Sequence, residues 1–398
     1  MIKVEEWVNE IRERALSGKP PVSSWRSNKT NRISFDDLVF IPVPISERPI
    51  DYFKEEIFTE TIIGKSSEKP LKLKIPILIS AMSFGAVSKE VKLALAKASS
   101  IVGTATNTGE GGMLPEEREN SKLLIAQYST GRFGVDENYI KKADAIEIKF
   151  GQGAKVGFGG YLPAEKVTGE IAKLRRVPLG QDIHSPPYHP DIKNVKDLKK
   201  KIEWIKDING GKPVIIKIGA GNVEDDIKFI VKADADVIAI DCLGGGTGAA
   251  QKVMLNEFGI PTVSALVKAR KILDKLKAKQ ELIIGGGLNI GADVAKSLAL
   301  GADTVYMASS LLIAMGCTYC KLCYKGKCPV GITTQDPELR KKLDPKAVEH
   351  VVNFLKACTE EVKMVAAACG KRNIHELNRN YLRSLDLTIS KITGIPLV

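Results

Sequence analysis

The sequence predicts an α/β protein centred on a closed (β/α)8 barrel of the TIM type. An N-terminal extension precedes the barrel, and a cysteine-rich loop and further helices follow it. Two observations carry this reading. From residue 70 onward, short apolar runs alternate with helical patterns, which implies a parallel sheet buried on both faces. About eight candidate strands occur, most ending in Gly, Ser or a charged residue, and eight is the count of a closed barrel. An open doubly wound sheet is the alternative.

The candidate strands are IPILISAMS (75–83), IVGTATNTG (101–109), ADAIEIKFG (143–151), PVIIKIGAG (213–221), ADVIAIDCLGGG (235–246), IPTVSA (260–265), ELIIGGG (281–287) and DTVYMASS (303–310). Between them lie helical patterns such as SKEVKLALAKASS, VKDLKKKIEWIKDI, NVEDDIKFIVKAD, VKARKILDKLKAK and GADVAKSLALG. At the front, MIKVEEWVNEIRERALSGKP reads as a charged amphipathic helix with Trp7, Ile11 and Leu16 roughly on one face. At the back, KAVEHVVNFLKACTEEVKMVAAACG has helical apolar spacing and ends at Gly370, with Cys358 and Cys369 as core thiols. The expected organisation is a helical and extended segment over 1–70 packing on the barrel, and the barrel itself over 71–316. The cysteine loop then spans 317–335 and a C-terminal helical segment 336–398.

With 398 residues and 44% hydrophobic content, the chain can bury a large core. No apolar run reaches the roughly eighteen residues of a membrane span. The N-terminus lacks the apolar stretch of a signal peptide, so a cytoplasmic protein without membrane contact is expected. The formal charge of +12 is spread along helices such as KDLKKKIEWIKDI rather than gathered in a stripe with aromatics. That pattern argues against nucleic-acid binding. A diffuse positive field suits anionic small substrates or an acidic electron-transfer partner.

A barrel gathers its chemistry on the loops that follow its strands. The residues to inspect are therefore Ser80–Ser83, Thr106–Glu110, Lys149–Lys155, Lys217, Asp241–Gly248, Gly285–Gly287 and Ala308–Ser310. Three glycines after one strand and Ala-Ser-Ser after the next match the phosphate-monoester site of the last two βα loops, although glycine turns also arise for steric reasons. Lys149 and Lys217 sit at strand exits, where an ammonium needs a counter-charge. A flavin meets that need because its reduced ring is anionic. A structural ion pair with Glu147 or Asp241 is the alternative. His184 and His189, in DIHSPPYHPDI, follow the third expected strand. They read as hydrogen-bonded loop residues, with a catalytic proton donor as the alternative. His350 and His375 read as structural.

GCTYCKLCYKGKCPVG places Cys317, Cys320, Cys323 and Cys328 in one run, with Pro329 after the last. In a reducing compartment, clustered thiols hold a metal rather than form disulfides. Zinc prefers two separated knuckles, so a single compact run favours iron–sulfur; structural zinc and unligated thiols are the alternatives. The run directly follows the last strand and its helix, which puts it near the barrel mouth.

PILISAMSFGAVSKE, TNTGEGG, EIKFGQGAKVGFGGYLP, GGGTGAA and GCTYCKLCYKGKCPVGITTQDPELRKKL together resemble the FMN-binding synthase domain of glutamate synthase, from about residue 35 to the C-terminus. The resemblance implies a barrel carrying FMN and a [3Fe–4S] cluster that reduces 2-iminoglutarate, from 2-oxoglutarate and ammonia, to L-glutamate. It places Ser80, Ala81, Met82 and Ser83 beside the flavin ring, with Asn107, Lys149 and Lys217 contacting it. Gly245, Gly286, Gly287, Ala308 and Ser309 serve the cofactor's glycine loops and phosphate. Gln152, Lys155 and Arg175 fall on the anion-binding positions for substrate, and Glu110 organises the mouth. Cys317, Cys323 and Cys328 match the cluster spacing. Cys320 is extra, and with it a [4Fe–4S] cluster is the alternative to the favoured [3Fe–4S].

The chain also departs from the family pattern. It has Phe158 and Tyr161 in GFGGYLP where the family carries GEGGQLP, Met113 where an acid is usual, and no His-Asp pair before the glycine run at 244–246. Residue 2 is Ile rather than the glutaminase nucleophile Cys. The expectation is a catalytic module supplied by separate glutaminase, β-helix and electron-donor subunits, the donor being a ferredoxin or an NADPH reductase. Two other readings stand beside it: a related FMN-barrel enzyme on another oxo acid or amine, such as N-methylglutamate synthase, and a cofactor-carrying electron-transfer subunit without turnover.

Overall fold

The computed structural model describes residues 4–27, 29, 33–42 and 44–398, so the first three residues of the expected N-terminal helix lie outside the described residues. Eight parallel strands form the barrel. They are β1 (Ile77–Ile79), β2 (Ala105–Asn107), β3 (Leu123–Tyr128), β4 (Ala145–Lys149), β5 (Val214–Gly219), β6 (Val237–Asp241), β7 (Glu281–Gly285) and β8 (Thr304–Met307). The hydrogen-bonded order runs from β2 to β8 and then to β1, so the sheet curls back on itself. At the one junction without a ladder, β1 to β2, the Thr104 hydroxyl donates to the Ile77 carbonyl at 2.5 Å. Strands such as VIIKIG and VIAID are near-continuous in Val and Ile because parallel strands are covered on both faces.

Each strand is followed by a helix. These are α1 (Lys89–Val102), α2 (Pro115–Asn120), α3 (Glu137–Lys142), α4 (Val195–Asn209), α5 (Val223–Lys232), α6 (Thr262–Leu276), α7 (Gly291–Ala299) and α8 (Ser309–Ala314). Their starts follow capping chemistry: Ser88, Asp136 and Asn194 each accept a backbone N–H from the first turn of α1, α3 and α4.

The expected strand count holds, but one member is exchanged. IPTVSA is no strand: Pro261 caps α6, and Thr262 to Ala265 form its buried first turn. The strand that the pattern missed is β3, LLIAQY, which pairs with β2 and β4. A short buried strand and a buried helical turn give the same apolar run. Moreover, the crossover ahead of β3 holds only a six-residue helix, too short to show a helical period. His184 and His189 accordingly follow the fourth strand.

A hairpin of Thr61–Ile63 and Leu71–Leu73 closes the end of the barrel where the strands begin. Its Ile63, Leu71 and Leu73 pack with Leu78, Ile125, Ile215 and Ile283 in the interior. The Gly64 N–H donates to Glu281 on β7 at 2.9 Å. The opposite end, where the strands finish, is left for the site. The long helix Ala347–Ala368 packs on α1 and α7, burying Val351, Leu355, Cys358 and Val362. The N-terminal helix Val4–Ser17 is tied to the body by Glu10 and Lys252 at 2.9 Å, and Trp7, Ile11 and Leu16 face solvent. Among the described residues, no helix is long and apolar enough to cross a membrane.

Candidate active site

The strand exits converge on a cavity that opens to solvent. Its wall takes Ser80, Ala81, Met82 and Ser83 from the β1 exit, and Glu110 from the β2 loop. Lys149, Gln152 and Lys155 come from the β4 exit, Lys217 from β5, and Gly245 from the β6 loop. Gly286 and Gly287 follow β7, while Ala308 and Ser309 follow β8. Arg175 joins them from the short helix Gly169–Arg175. Asn107 lies elsewhere. Its amide is buried in the barrel interior, donating to Glu147 at 3.1 Å and accepting the Gly109 N–H at 2.9 Å.

Beneath the cavity floor lies a polar layer. Glu147 is fully buried on β4 and accepts from Gln127 at 2.7 Å and from the Tyr306 hydroxyl at 2.7 Å. The Lys217 ammonium stands 3.9 Å from the same carboxylate and 5.2 Å above the Tyr306 ring. Lys217 therefore has the structural ion-pair partner that its position raised as an alternative, while still facing the cavity.

On the wall, Lys149 and Glu110 pair at 3.1 Å, and Ser185 donates to the other Glu110 oxygen. Burial opposes ionisation of Glu110, but the Lys149 charge and these hydrogen bonds win and hold its pKa at about 2. Gly160 leaves room for this pair: a Cβ there would lie 2.6 Å from Glu110 Oε2 and displace it. Lys155 is buried with its ammonium on the Ala249 carbonyl at 2.8 Å. Burial and the Lys149 charge pull it down to about 7, against the pull of Glu110. The Arg175 guanidinium donates to Phe84 O at 2.8 Å and to Ser83 Oγ at 3.3 Å, and its Nε has no partner. Burial lowers it to about 10. Gly111, at φ +137°, permits this approach, since a Cβ there would lie 2.6 Å from the Arg175 Cζ.

Cation and acid counts on this wall are unequal. Among the lining residues, Lys149, Lys155, Lys166, Arg175 and Lys217 stand against Glu110 and Asp241, with Glu147 beneath the floor as a third carboxylate opposite Lys217. Lys166 was not legible in the sequence. It sits on a short turn over 164–166, where no period marks it, and donates to Ala86 O at 3.0 Å and Cys323 O at 3.5 Å. Burial lowers it to about 8, opposed by the sulfurs of Cys323 and Cys328. It joins the cavity wall to the cysteine loop.

Tyr161 also lines the cavity, stacked on His184 with ring centroids 4.8 Å apart and donating to Asp182 at 3.2 Å. Burial and Asp182 push its hydroxyl up to about 12. His189 lies behind the wall, packed between Tyr128 and Phe150, with its Nε2 2.9 Å from the Lys149 carbonyl. Burial lowers it to about 4, so it is neutral at pH 7 and supports the backbone of Lys149.

In the cysteine loop, Cys323 and Cys328 are buried, Cys317 is half-buried and Cys320 is exposed. Tyr319 and Lys321, flanking Cys320, adopt left-handed conformations at φ +58° and +56°. Burial raises Cys317 to about 11, with the nearby Cys323, Cys328 and Cys320 adding to it. Burial also works against Cys328, but backbone N–H groups of Thr333, Val330 and Ile332 hold it below the usual thiol value. The run supplies soft sulfur donors of the kind iron–sulfur chemistry uses, and Cys323 also lines the cavity. Among the described residues, no three Cys, His or acidic side chains are drawn together as a metal site. The cavity, with its cationic wall and glycine loops, fits a flavin mononucleotide. A Cβ on Gly246 would stand 3.1 Å from Ser309 Oγ, so the notch between the last loops exists because neither glycine run carries side chains.

In comparisons with known proteins, the family model for the conserved region in glutamate synthase matches residues 19–372. The chain is 39% identical to a glutamate synthase large subunit-like protein of Rhizobium meliloti, over 98% of this chain and 92% of that one. It is 38% identical to the archaeal glutamate synthase [NADPH] of Archaeoglobus fulgidus, over 96% and 80% respectively. Among solved structures it is similar to a mutant flavocytochrome b2 with benzoylformate, at TM-score 0.59 and 15% identity over 94% of this chain and 83% of that one. It is also similar to a mandelate oxidase mutant, at TM-score 0.55 and 16% identity over 88% and 89%. At such identities the structural likeness is one of fold, the (β/α)8 barrel. The family match rests instead on the sequence itself, and by it the chain belongs to the glutamate synthase family of oxidoreductases.

Proposed function

We propose that this chain is the synthase component of a glutamate synthase, reducing 2-iminoglutarate, formed from 2-oxoglutarate and ammonia, to L-glutamate. The observation that carries the proposal is the cationic excess of the cavity in a chain of this family: five Lys and Arg side chains against Glu110 and Asp241 on the lining and Glu147 beneath Lys217. A dicarboxylate and a phosphate-bearing cofactor are together the anions that such a wall accommodates. FMN, held by the Ser80–Ser83 exit, Lys149 and Lys217 and by Gly245, Gly286, Gly287, Ala308 and Ser309, supplies hydride when bound. An iron–sulfur cluster on Cys317, Cys323 and Cys328 supplies single electrons when bound; the exposure of Cys320 favours three irons over four.

The protein's own groups divide the remaining work. Arg175, with an unpartnered Nε, and Lys155, with one carbonyl partner, neutralise the substrate carboxylates. The Gln152 amide orients the substrate between them. Glu110 is too acidic to donate a proton at neutral pH; it fixes Lys149 on the wall. Ammonia and electrons come from separate glutaminase and electron-donor polypeptides, and a separate β-helix subunit completes the assembly.

The test is anaerobic. The chemically reduced holoprotein, given 2-oxoglutarate and ammonium, should reoxidise only with both present and release glutamate. Replacing Arg175 by Ala should weaken 2-oxoglutarate binding about tenfold to a hundredfold, the scale of a lost charge-assisted hydrogen bond, and leave the flavin spectrum unchanged. Loss of flavin instead would assign Arg175 to the cofactor.

One observation favours a second reading. The Tyr161 ring lines the cavity where the family pattern carries Gln, which suits an amine bearing carbon, as in synthesis of N-methylglutamate from methylamine. Reoxidation by methylamine in preference to ammonium would decide for it. Normal cofactor spectra with no turnover on any oxo acid would mark an electron-transfer subunit.

A further inference from the structure

The N-terminal arm reaches one end of the cavity in an unusual way. Its strand Val22–Trp25 pairs antiparallel with Thr247–Gln251, which follows the glycine run of the β6 loop. The register slips between Ser23 and Trp25. Ser24 Oγ is tied to the Lys321 carbonyl of the cysteine loop at 2.7 Å. Trp25 then adopts φ +83°, a left-handed conformation that bulky residues rarely occupy.

The irregularity sets one side chain on the cavity wall and the next beside a glycine run. Trp25 is 4% exposed and lines the wall, its ring edge-to-face with Tyr319 at 5.0 Å. Its indole Nε1–H is buried without a hydrogen-bond partner. Arg26, the next residue, crosses to the other glycine run: its Nη1 lies 3.8 Å from where a Cβ on Gly287 would be. Among the described residues, its hydrogen-bond partner is a neutral one, Asn289 Oδ1 at 3.0 Å, which engages one of its five N–H donors. At the same end, Gly246 lies between Ser309 Oγ and the Trp25 carbonyl, at 3.1 and 3.6 Å from a Cβ built on it.

Buried donors left unpaired cost stability unless something accepts from them. Here the cavity wall carries a buried, unpaired indole N–H, and beside the Gly287 turn stands a half-buried guanidinium that, among the described residues, has no acidic partner. The acceptor that fits is an oxyanion with several oxygens.

We propose that the arm binds the phosphate of the flavin cofactor, the Trp25 indole N–H and the Arg26 guanidinium acting with the loops at Gly246 and Gly286–Gly287. This rests on the reading of the cavity as an FMN site. The arm thereby becomes a phosphate-selecting part of the cofactor site.

The experiment is equilibrium binding of FMN and of riboflavin, read by flavin fluorescence, to the full chain after removal of its flavin. The proteins compared are wild type, Arg26→Gln, Arg26→Lys and Trp25→Phe. Arg26→Gln should weaken FMN about tenfold to a hundredfold while leaving riboflavin unchanged, and Arg26→Lys should recover much of the loss. Trp25→Phe keeps the ring and loses the N–H, and should weaken FMN by a smaller factor. Equal weakening of both flavins, or none, would overturn the proposal, since the arm would then act as a lid or not at all. A wild-type chain that binds riboflavin as tightly as FMN would overturn it as well, yet leave the flavin cavity standing. Binding of neither flavin would defeat the FMN reading itself.

Discussion

Lys155 shows how a single side chain makes ligand binding depend on pH. In the free site its pKa is about 7, because burial and the Lys149 ammonium disfavour its charged form. A bound carboxylate favours the ammonium and raises that pKa, so binding takes up a proton wherever the pH exceeds about 7. Affinity for 2-oxoglutarate should therefore be greatest below that pH and fall by up to about tenfold per unit above it. Calorimetric titration in two buffers of different ionisation enthalpy would count the proton. Lys155→Arg, charged throughout, should flatten the profile; a flat wild-type profile between pH 7 and 9 would contradict the assignment. At this scale the strand-exit residues Ser80–Ser83, Lys149, Lys217 and Gly286–Gly287 were legible because a barrel puts such exits in one place. Asn107 occupies such an exit too, but its amide turns inward to Glu147, and nothing local in its sequence distinguishes the two directions.

Between elements, one buried pair sets the geometry of two loops at once. Lys92 on α1 and Glu117 on α2 are both almost wholly buried and meet at 2.7 Å. The Lys92 ammonium also donates to Met82 O at 2.8 Å, Asn107 O at 2.9 Å and Thr108 O at 3.1 Å. It thus pins the β1 and β2 exits that carry Ser83 and Glu110. Lys92→Met alone leaves Glu117 buried and uncompensated, and should destabilise the fold by about 3–5 kcal/mol. Lys92→Met combined with Glu117→Leu should recover part of that loss. Denaturant unfolding of the two variants checks both statements, and a single mutant no less stable than the double would sink the argument. The exchange of IPTVSA for β3 belongs to this scale as well. Strand or helix was undecidable for so short an apolar run until its neighbours were known.

For the molecule as a whole, the net charge is +12, and the mouth of the cavity is itself cationic. Electrons delivered by an acidic protein donor should then arrive by electrostatic steering. The second-order rate of flavin reduction by such a donor should fall roughly tenfold or more between low salt and ~0.15 M, as screening shortens the field to about 8 Å. Reduction by a small uncharged reagent should change little over the same range. Stopped-flow traces at several ionic strengths would separate the two, and equal salt dependence would remove steering from the account.

Alternation of strand and helix, the glycine-bearing exits and the compact cysteine run were determined by the sequence alone. Each is a local pattern, set by which face of an element is buried or by how tightly the backbone must turn. Tertiary structure decided the rest. It brought Trp25 and Arg26 to glycines more than two hundred positions away, and set Lys166 between the cavity and Cys323. It also made Glu147 the hub of an interior layer shared by Gln127, Lys217 and Tyr306. No periodicity encodes such meetings. They follow from the closure of the barrel, which turns eight separate strand ends into one ring, and from the packing of an arm and a loop across its rim.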